Sequence, residues 1–465
     1  MKRREKSVPS ELQASQGSGE SVPLSETTLA RIQDYLRRRP HPSQARLSRF
    51  LRRECGLSPA DARSLSQAIV ERTSPKEAEE NFLVRSLSAD APELMRRADL
   101  ARLDWAYIAQ RAGYHDVAAL LYCNLAEAGL TDALPSSAIS PLESAYRLSA
   151  TRNARLYAEL RQVLEALHKE QIQVILLKGI ALAPLLYRDV ASRAMSDFDL
   201  LVRVEDVERA EAALQEMGYQ FAPLAPSFRP PGFLRRYGGS AEYARWVNGE
   251  RRCLDLHWRF THSEWIRRTT RIDIIIAWET SRPWACGSLL ARQLSPAYHL
   301  YHLALHFLKH KFAAGTLRWL ADIDRLLRTY PNEVNTPELA LQARACGIAT
   351  ALYAVLELCA RLLGTPISPQ LLQRLAPPRW RKALLSRMLS PPGYLFPETE
   401  LHGWSKFALE FLLLDQSLRL PALVYRMLLP EQEWLISRYA LEGKPRAYWR
   451  HRFAHLLKLL RSGEL

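Results

Sequence analysis

No stretch of this 465-residue sequence stays apolar for the roughly 18 residues that a bilayer-spanning helix requires. The nearest approach, Phe407 to Leu414, is broken by Glu410 and Asp415. Cysteine is scarce: Cys55, Cys123, Cys253, Cys286, Cys346 and Cys359 lie far apart, with no Cys-x-x-Cys pair and no Cys/His spacing of a zinc site. This excludes a disulfide miniprotein and leaves free thiols in a reducing compartment. The basic start, Met1-Lys-Arg-Arg-Glu-Lys-Ser, leads into Ser, Gly and Glu without an apolar run, so no secretory signal is read there and a cytoplasmic location is expected. No internal repeat of fixed period is found.

What is present is the balance of a globular chain, 48% hydrophobic and 24% charged, with enough length at about 150 residues per domain for roughly three domains. Lys and Arg number 64 against 49 Asp and Glu, a net charge of +15. Such a surface attracts polyanions: nucleic acid, nucleoside triphosphate, anionic lipid or acidic polysaccharide.

Residues 1–28 are polar and aperiodic and read as a disordered tail. Helical spacing then dominates to about Lys169, as in Trp105, Ile108, Ala109 and Ala112, with a long helix expected from Ser144 to Lys169. The texture changes at Gln173-Val-Ile-Leu-Leu, a short buried strand ending in a turn at Lys178-Gly179. Asp197-Phe-Asp-Leu-Leu-Val202 and Cys253-Leu-Asp-Leu-His-Trp258 are further strands, and Asp206 to Met217 is a helix closed by Gly218. From Pro296 onward the pattern is helical again, including single helices over Tyr298–Lys311, Leu317–Thr329, Pro337–Leu363, Trp404–Leu418 and Ala447–Arg461.

The strand period of two sets Asp197 and Asp199 on one face and turns Phe198 to the other. Two adjacent anions are costly without a cation, and hard oxygen donors favour Mg²⁺ together with substrate phosphates. The alternative is that Asp199 merely faces solvent or caps a helix. In the later strand Leu254, Leu256 and Trp258 point to the core while Asp255 shares a face with His257. Three carboxylates from two strands would suit a pair of divalent ions about 3.5–4 Å apart, the clamp for in-line phosphoryl or nucleotidyl transfer. The turn at Lys178-Gly179 offers backbone N–H groups and one positive charge to a triphosphate.

On these residues the sequence resembles the nucleotidyltransferase superfamily of DNA polymerase β, and within it the uncharacterised nucleotidyltransferase family. The resemblance rests on Val174-Ile-Leu-Leu-Lys-Gly179, Leu186-Tyr187, Arg193-Ala-Met-Ser-Asp-Phe-Asp-Leu-Leu-Val202, Gly218-Tyr219 and Leu254-Asp-Leu-His-Trp258, and continues around His302, His306, Arg318-Trp319 and Asp322. It is strongest over residues 100–330 and extends more loosely to about 455. It implies Mg²⁺- or Mn²⁺-dependent transfer of a nucleoside monophosphate from an NTP to a hydroxyl, with Asp197, Asp199 and Asp255 as metal ligands and Asp255 also as base. The superfamily usually carries Gly-Ser at the phosphate turn, whereas this chain has Gly179-Ile180. Lys178, Gly179 and Arg193 are therefore the candidates for binding the triphosphate, although Arg193 could equally pin its own loop to an acid.

The expected fold is α+β: a small mixed-sheet nucleotidyltransferase core at 151–290, flanked by an N-terminal helical domain at 29–150 and a C-terminal helical domain at 291–465. The acceptor is open: a small molecule, a glycan precursor, a protein side chain or an RNA end. An inactive nucleotide- or polyanion-binding protein of the same fold and a nucleic-acid-binding regulator are the alternatives. His302, His306 and His310 recur every fourth residue and share a helical face. That face could hold a metal, but without a His-Glu-x-x-His arrangement packing is the better reading. Arg318 and Asp322, also four apart, form either a surface pair or structural support. The basic C-terminal segment, with Trp449, Phe453, Leu456 and Leu460 at helical spacing, is expected to dock on the protein itself, on nucleic acid or on an anionic membrane.

Overall fold

The strand-like runs pair into one seven-stranded mixed sheet. A computed structural model describes residues 25–38, 44–73, 77–222, 231–260, 268–284, 291–310, 316–389, 404–415, 424–426, 428–439, 441 and 448–455. The strands are β1 (Ile175–Leu177), β2 (Phe198–Leu201), β3 (Gln220–Phe221), β4 (Ser240–Val247), β5 (Glu250–His257), β6 (Arg282–Pro283) and β7 (Arg292–Gln293). They lie in the order β3-β4-β5-β2-β1-β7-β6. β2 is antiparallel to β1 and parallel to β5, and β4 and β5 form an antiparallel hairpin. The hairpin turns at Asn248 and Gly249, with φ of 50° and 74°, the Asn-Gly conformation that matches the twist of paired strands. The two-residue strands β3, β6 and β7 are too short to leave an alternation signal in the sequence.

One face of the sheet carries the core. Leu176 of β1, Phe198 and Leu200 of β2, and Leu254 and Leu256 of β5 pack with Trp258 beneath two helices. The long helix Ser136–Lys169 contributes Leu156, Leu160, Val163, Leu164 and Leu167, and the helix Val207–Glu216 contributes Val207, Ala210 and Leu214. Both stripes have the three- and four-residue spacing that puts one helical side against the sheet, and each fully buried leucine stabilises by about 1.5–3 kcal/mol. With alternate residues committed to this core, Leu177, Asp199, Leu201, Asp255 and His257 fall on the other face in register.

The fold is thus α+β, with a mixed sheet flanked by helices on both sides in the chain. Helix boundaries differ from the sequence reading in two instructive places. The long helix begins at Ser136, directly after Pro135, instead of at Ser144. The segment 337–363, read as one helix, is two, Pro337–Cys346 and Ala349–Leu363, because Gly347 (φ 73°) ends the first with a left-handed cap.

The described residues form two compact units, those before residue 77 and those from residue 77 onward. In the first, helices Glu26–Arg38, Gln44–Glu54 and Pro59–Thr73 surround Ile32, Tyr35, Leu47, Leu51, Ala62 and Ile69. The expected tail falls largely on residues 1–24, outside the described residues. The second unit holds the sheet. Within it, the C-terminal helices Gln432–Tyr439 and 448–455 meet the helix Pro231–Tyr237 through Phe233, Tyr237, Trp434, Leu435 and Tyr448. The buried side of 448–455 is formed by Tyr448 and His455, while Trp449 and Phe453 are 69% and 64% exposed. Of the apolar stripe expected to dock, Trp449 and Phe453 thus face outward, while His455 packs on Trp434 (5.4 Å) on the buried side. Leu456 and Leu460 lie outside the described residues.

Candidate active site

The polar face of the sheet brings Asp199 and Asp255 side by side. β2 and β5 are parallel with Asp199 opposite Asp255, and two residue pairs further on, on the same face, Leu201 stands opposite His257. Asp199, Asp255 and His257 each offer a ligand atom, all within 4.8 Å of one another. Asp197 precedes β2 and lies outside this trio, although its carboxyl is close enough to feel Asp199, Lys178 and Arg318. The sequence had nominated Asp197, Asp199 and Asp255 as the three ligands. His257 is the addition, and its signal was the alternation that put it on Asp255's face.

Lys178 is the cation of the cluster. It sits at the turn between β1 and the helix Lys178–Leu186 with φ 52°, a left-handed conformation uncommon for a residue with a side chain. Its ammonium group is bonded to Asp199 Oδ1, and the same oxygen is 3.0 Å from His257 Nε2. Burial alone would lower the Lys178 ammonium, but Asp199, Asp255 and Asp197 outweigh it and hold its pKa above the ordinary value. Burial likewise works against Asp199, yet Lys178 and His257 hold its carboxyl well below the usual range. Asp255 takes the other half of this bargain: burial, then repulsion from Asp199, push its carboxyl up to about 8. Asp197 is raised as well, by burial first and then by Asp199, against the pull of Lys178 and Arg318.

The donor set fits a divalent ion. Two carboxylates supply the hard oxygens that Mg²⁺ or Mn²⁺ prefers, and His257, bonded to one of them, orients it. Behind His257 stands His302, on the helix Pro296–His310, with its ring edge-on at 6.4 Å. Burial, then the nearby Lys178 and His257, drive the His302 pKa well below its ordinary value, so its ring is neutral. His306 turns instead to Trp319, at 4.7 Å. The two histidines thus serve different neighbours, and the side chain of His310 lies outside the described residues. Among the described residues, the cluster able to hold a metal is the Asp199–Asp255–His257 group, not the histidine stripe.

Of the three phosphate-binding candidates, Lys178 and Gly179 lie at the rim of this cluster, and Arg193 is engaged elsewhere. Its Nε and Nη2 donate to the two oxygens of Asp322 at 3.0 and 2.6 Å, and its Nη1 donates to Ala194 O at 2.8 Å. Burial alone would lower the guanidinium, but Asp322 more than offsets it and holds the pKa above the ordinary value. Of the two roles left open for Arg193, the geometry is that of the loop pin. Asp322 in turn is not part of a surface pair with Arg318. It is fully buried and also accepts from the Tyr187 hydroxyl at 2.6 Å, so residues 187, 193 and 322 tie the loop before Asp197 to the helix Thr316–Thr329. Gly179 packs tightly here: a Cβ on it would stand 3.0 Å from Arg193 Nη1 and from Met195 Cγ and Sδ. Ile180 is buried in the core beside the sheet, so packing explains why no hydroxyl follows the glycine.

A mixed sheet presenting neighbouring carboxylates, an imidazole and a lysine at a strand-to-helix turn is consistent with the nucleotidyltransferase superfamily of DNA polymerase β. Residues 101–364, more than half of the chain, match the uncharacterised nucleotidyltransferase family, and the protein belongs to that family. No curated protein and no solved structure matches the chain. No helix among the described residues is long and apolar enough to cross a membrane.

Proposed function

We propose that the protein transfers a nucleoside monophosphate from a nucleoside triphosphate to the hydroxyl of an acceptor, with Mg²⁺ or Mn²⁺ held by Asp199 and Asp255 and with Asp197 lining the same site. The β2–β5 register carries this reading, since it sets Asp199 against Asp255 with Lys178 and His257 directed at their shared charge. A divalent ion, when bound, supplies charge neutralisation at the reacting phosphate. The acceptor oxygen bonds to the α-phosphorus as the bond from that phosphorus to the pyrophosphate oxygen breaks. Asp255 serves as the base that receives the hydroxyl proton. Lys178 and Gly179 serve the phosphate chain, and Arg193 keeps the Asp197 loop in place through Asp322.

Residues 151–290 act in this reading as the transferring core between helical domains, in the cytoplasm, on a small-molecule, glycan-precursor, protein or RNA acceptor. The excess of 64 basic over 49 acidic residues suits such polyanionic substrates. Incubation with labelled triphosphates, Mn²⁺ and cell extract should label an acceptor or the protein itself, and Asp199→Asn should abolish the label. Metal-dependent nucleotide binding without transfer would instead make the chain a binding protein. Salt-sensitive nucleic-acid binding indifferent to Asp199→Asn would make it a regulator.

A further inference from the structure

Lys178, Arg193 and Arg318 are three cations on or next to the segment from Lys178 to Asp197, and two of them are fully committed: Lys178 to Asp199, and Arg193 to Asp322 in a two-pronged pair. The third, Arg318 on the helix Thr316–Thr329, is different. Only a fifth of its side chain is exposed, and its carboxylate partner, Asp116, is distant at 3.4 Å. Its Nη1 also reaches Ala194 O at 3.2 Å, whereas its Nε is buried without a hydrogen-bond partner among the described residues. The neighbouring arginines of the same helix are better satisfied: Arg325 donates to Leu87 O at 2.8 Å, and Arg328 to Asp324 at 2.8 Å. Burial and the like charge of Arg193 both press the Arg318 guanidinium below its ordinary pKa, against Asp116, Asp322 and Asp197. A guanidinium held with so little compensation is a cost to the fold. Perturbed groups of this kind collect where a ligand of opposite charge binds.

Its position names the ligand. Arg193 and Arg318 share the carbonyl of Ala194, three residues before Asp197. Arg193 Nη1 is in turn the atom that a Cβ on Gly179 would meet at 3.0 Å. The Lys178-Gly179 turn thus packs close to Arg193, whose Nη1 shares the Ala194 carbonyl with Arg318. With Ile180 turned into the core, this turn has no hydroxyl of its own to offer a phosphate. Arg318 is a further donor close to it, at the Ala194 carbonyl, with a planar fork matched to phosphate oxygens.

We propose that Arg318 binds the phosphate chain of the nucleotide, in the role that the sequence alone had offered to Arg193. This rests on the nucleotide-transfer reading above, and the experiment separates the two. Calorimetric titration of the full chain with Mg²⁺-tripolyphosphate and Mg²⁺-ATP, beside Mn²⁺ binding followed by electron paramagnetic resonance, is compared for wild type, Arg318→Gln and Arg318→Lys. Loss of charge-assisted hydrogen bonds should weaken tripolyphosphate and ATP alike by about ten- to a hundredfold in Arg318→Gln, with Mn²⁺ affinity unchanged. Arg318→Lys, which keeps the charge but not the fork, should fall between. Wild-type affinity for tripolyphosphate in Arg318→Gln would overturn the assignment while leaving the nucleotide reading intact. Failure of the wild-type protein to bind either phosphate compound would overturn both. If Arg318→Gln does not fold, Arg318→Lys decides: a several-fold loss for tripolyphosphate supports the assignment and an unchanged affinity overturns it.

Discussion

The buried pair between Arg193 and Asp322 makes the sharpest stability prediction. Arg193 is 5% exposed and Asp322 is not exposed at all, and both carboxylate oxygens accept from the guanidinium at 2.6 and 3.0 Å. Asp322→Asn keeps the shape but leaves a buried guanidinium facing a neutral amide, a loss of about 3–5 kcal/mol. Removing both charges with Arg193→Met and Asp322→Leu strands no ion. The residual cost is the Tyr187 hydroxyl, which loses its acceptor at 2.6 Å, about 1–3 kcal/mol, and a third change, Tyr187→Phe, should recover most of it. The chain comprises two compact units, so a global unfolding midpoint would blur the effect. Native-state hydrogen exchange of peptides covering 190–202 and 316–327 reads it locally. At a factor of ten per 1.4 kcal/mol, the single variant should accelerate exchange there by about a hundred- to three-thousandfold. The triple variant should lie within about tenfold of wild type. Acceleration below tenfold in Asp322→Asn, or a triple variant as fast as the single one, would refute the claim that this ion pair holds the loop before Asp197.

His257 orients Asp199 across 3.0 Å, so His257→Ala should weaken Mn²⁺ binding by about ten- to a hundredfold in a paramagnetic resonance titration, whereas an unchanged affinity would remove His257 from the site. Gly179→Ala places a methyl group 3.0 Å from the pinned Arg193 Nη1 and from Met195 and should lower stability by about 1–3 kcal/mol, read as faster hydrogen exchange of peptides covering 175–202. Burial, against the Tyr107 hydroxyl and Arg111, raises the carboxyl of Glu80 from 4.5 to about 7, so the folded chain keeps a proton that the unfolded chain releases. That contribution is complete below the unfolded pKa and lost as pH rises through about 7. Glu80→Gln, which mimics the protonated acid, should therefore gain stability relative to wild type between about pH 5 and pH 8, and a parallel pH profile for the two would sink the assignment.

Much of the α/β core was legible because its signals are local. A period of two fixed which of Phe198, Asp199, Leu254 and Asp255 face the core, and a carboxylate on the polar side of each strand suggested the chemistry before any pairing was known. Helix ends were less legible where one residue decided them, as Gly347 did by adopting φ 73° within an apolar segment. Arg193 was ambiguous for a different reason. An arginine four residues before an aspartate looks the same whether its partner is a phosphate or an acid 129 positions away.

The sequence by itself determined the alternation, the residue types at the turn and the family, since these depend on neighbours along the chain. Only the tertiary structure decided that β2 and β5 run parallel with Asp199 against Asp255, that Lys178 pairs with Asp199, and that Asp322 claims Arg193 while Arg318 reaches the Ala194 carbonyl. Those outcomes turn on distances between segments far apart in the chain. Coulomb and desolvation energies depend on separation and burial in space, and spacing along the chain specifies neither.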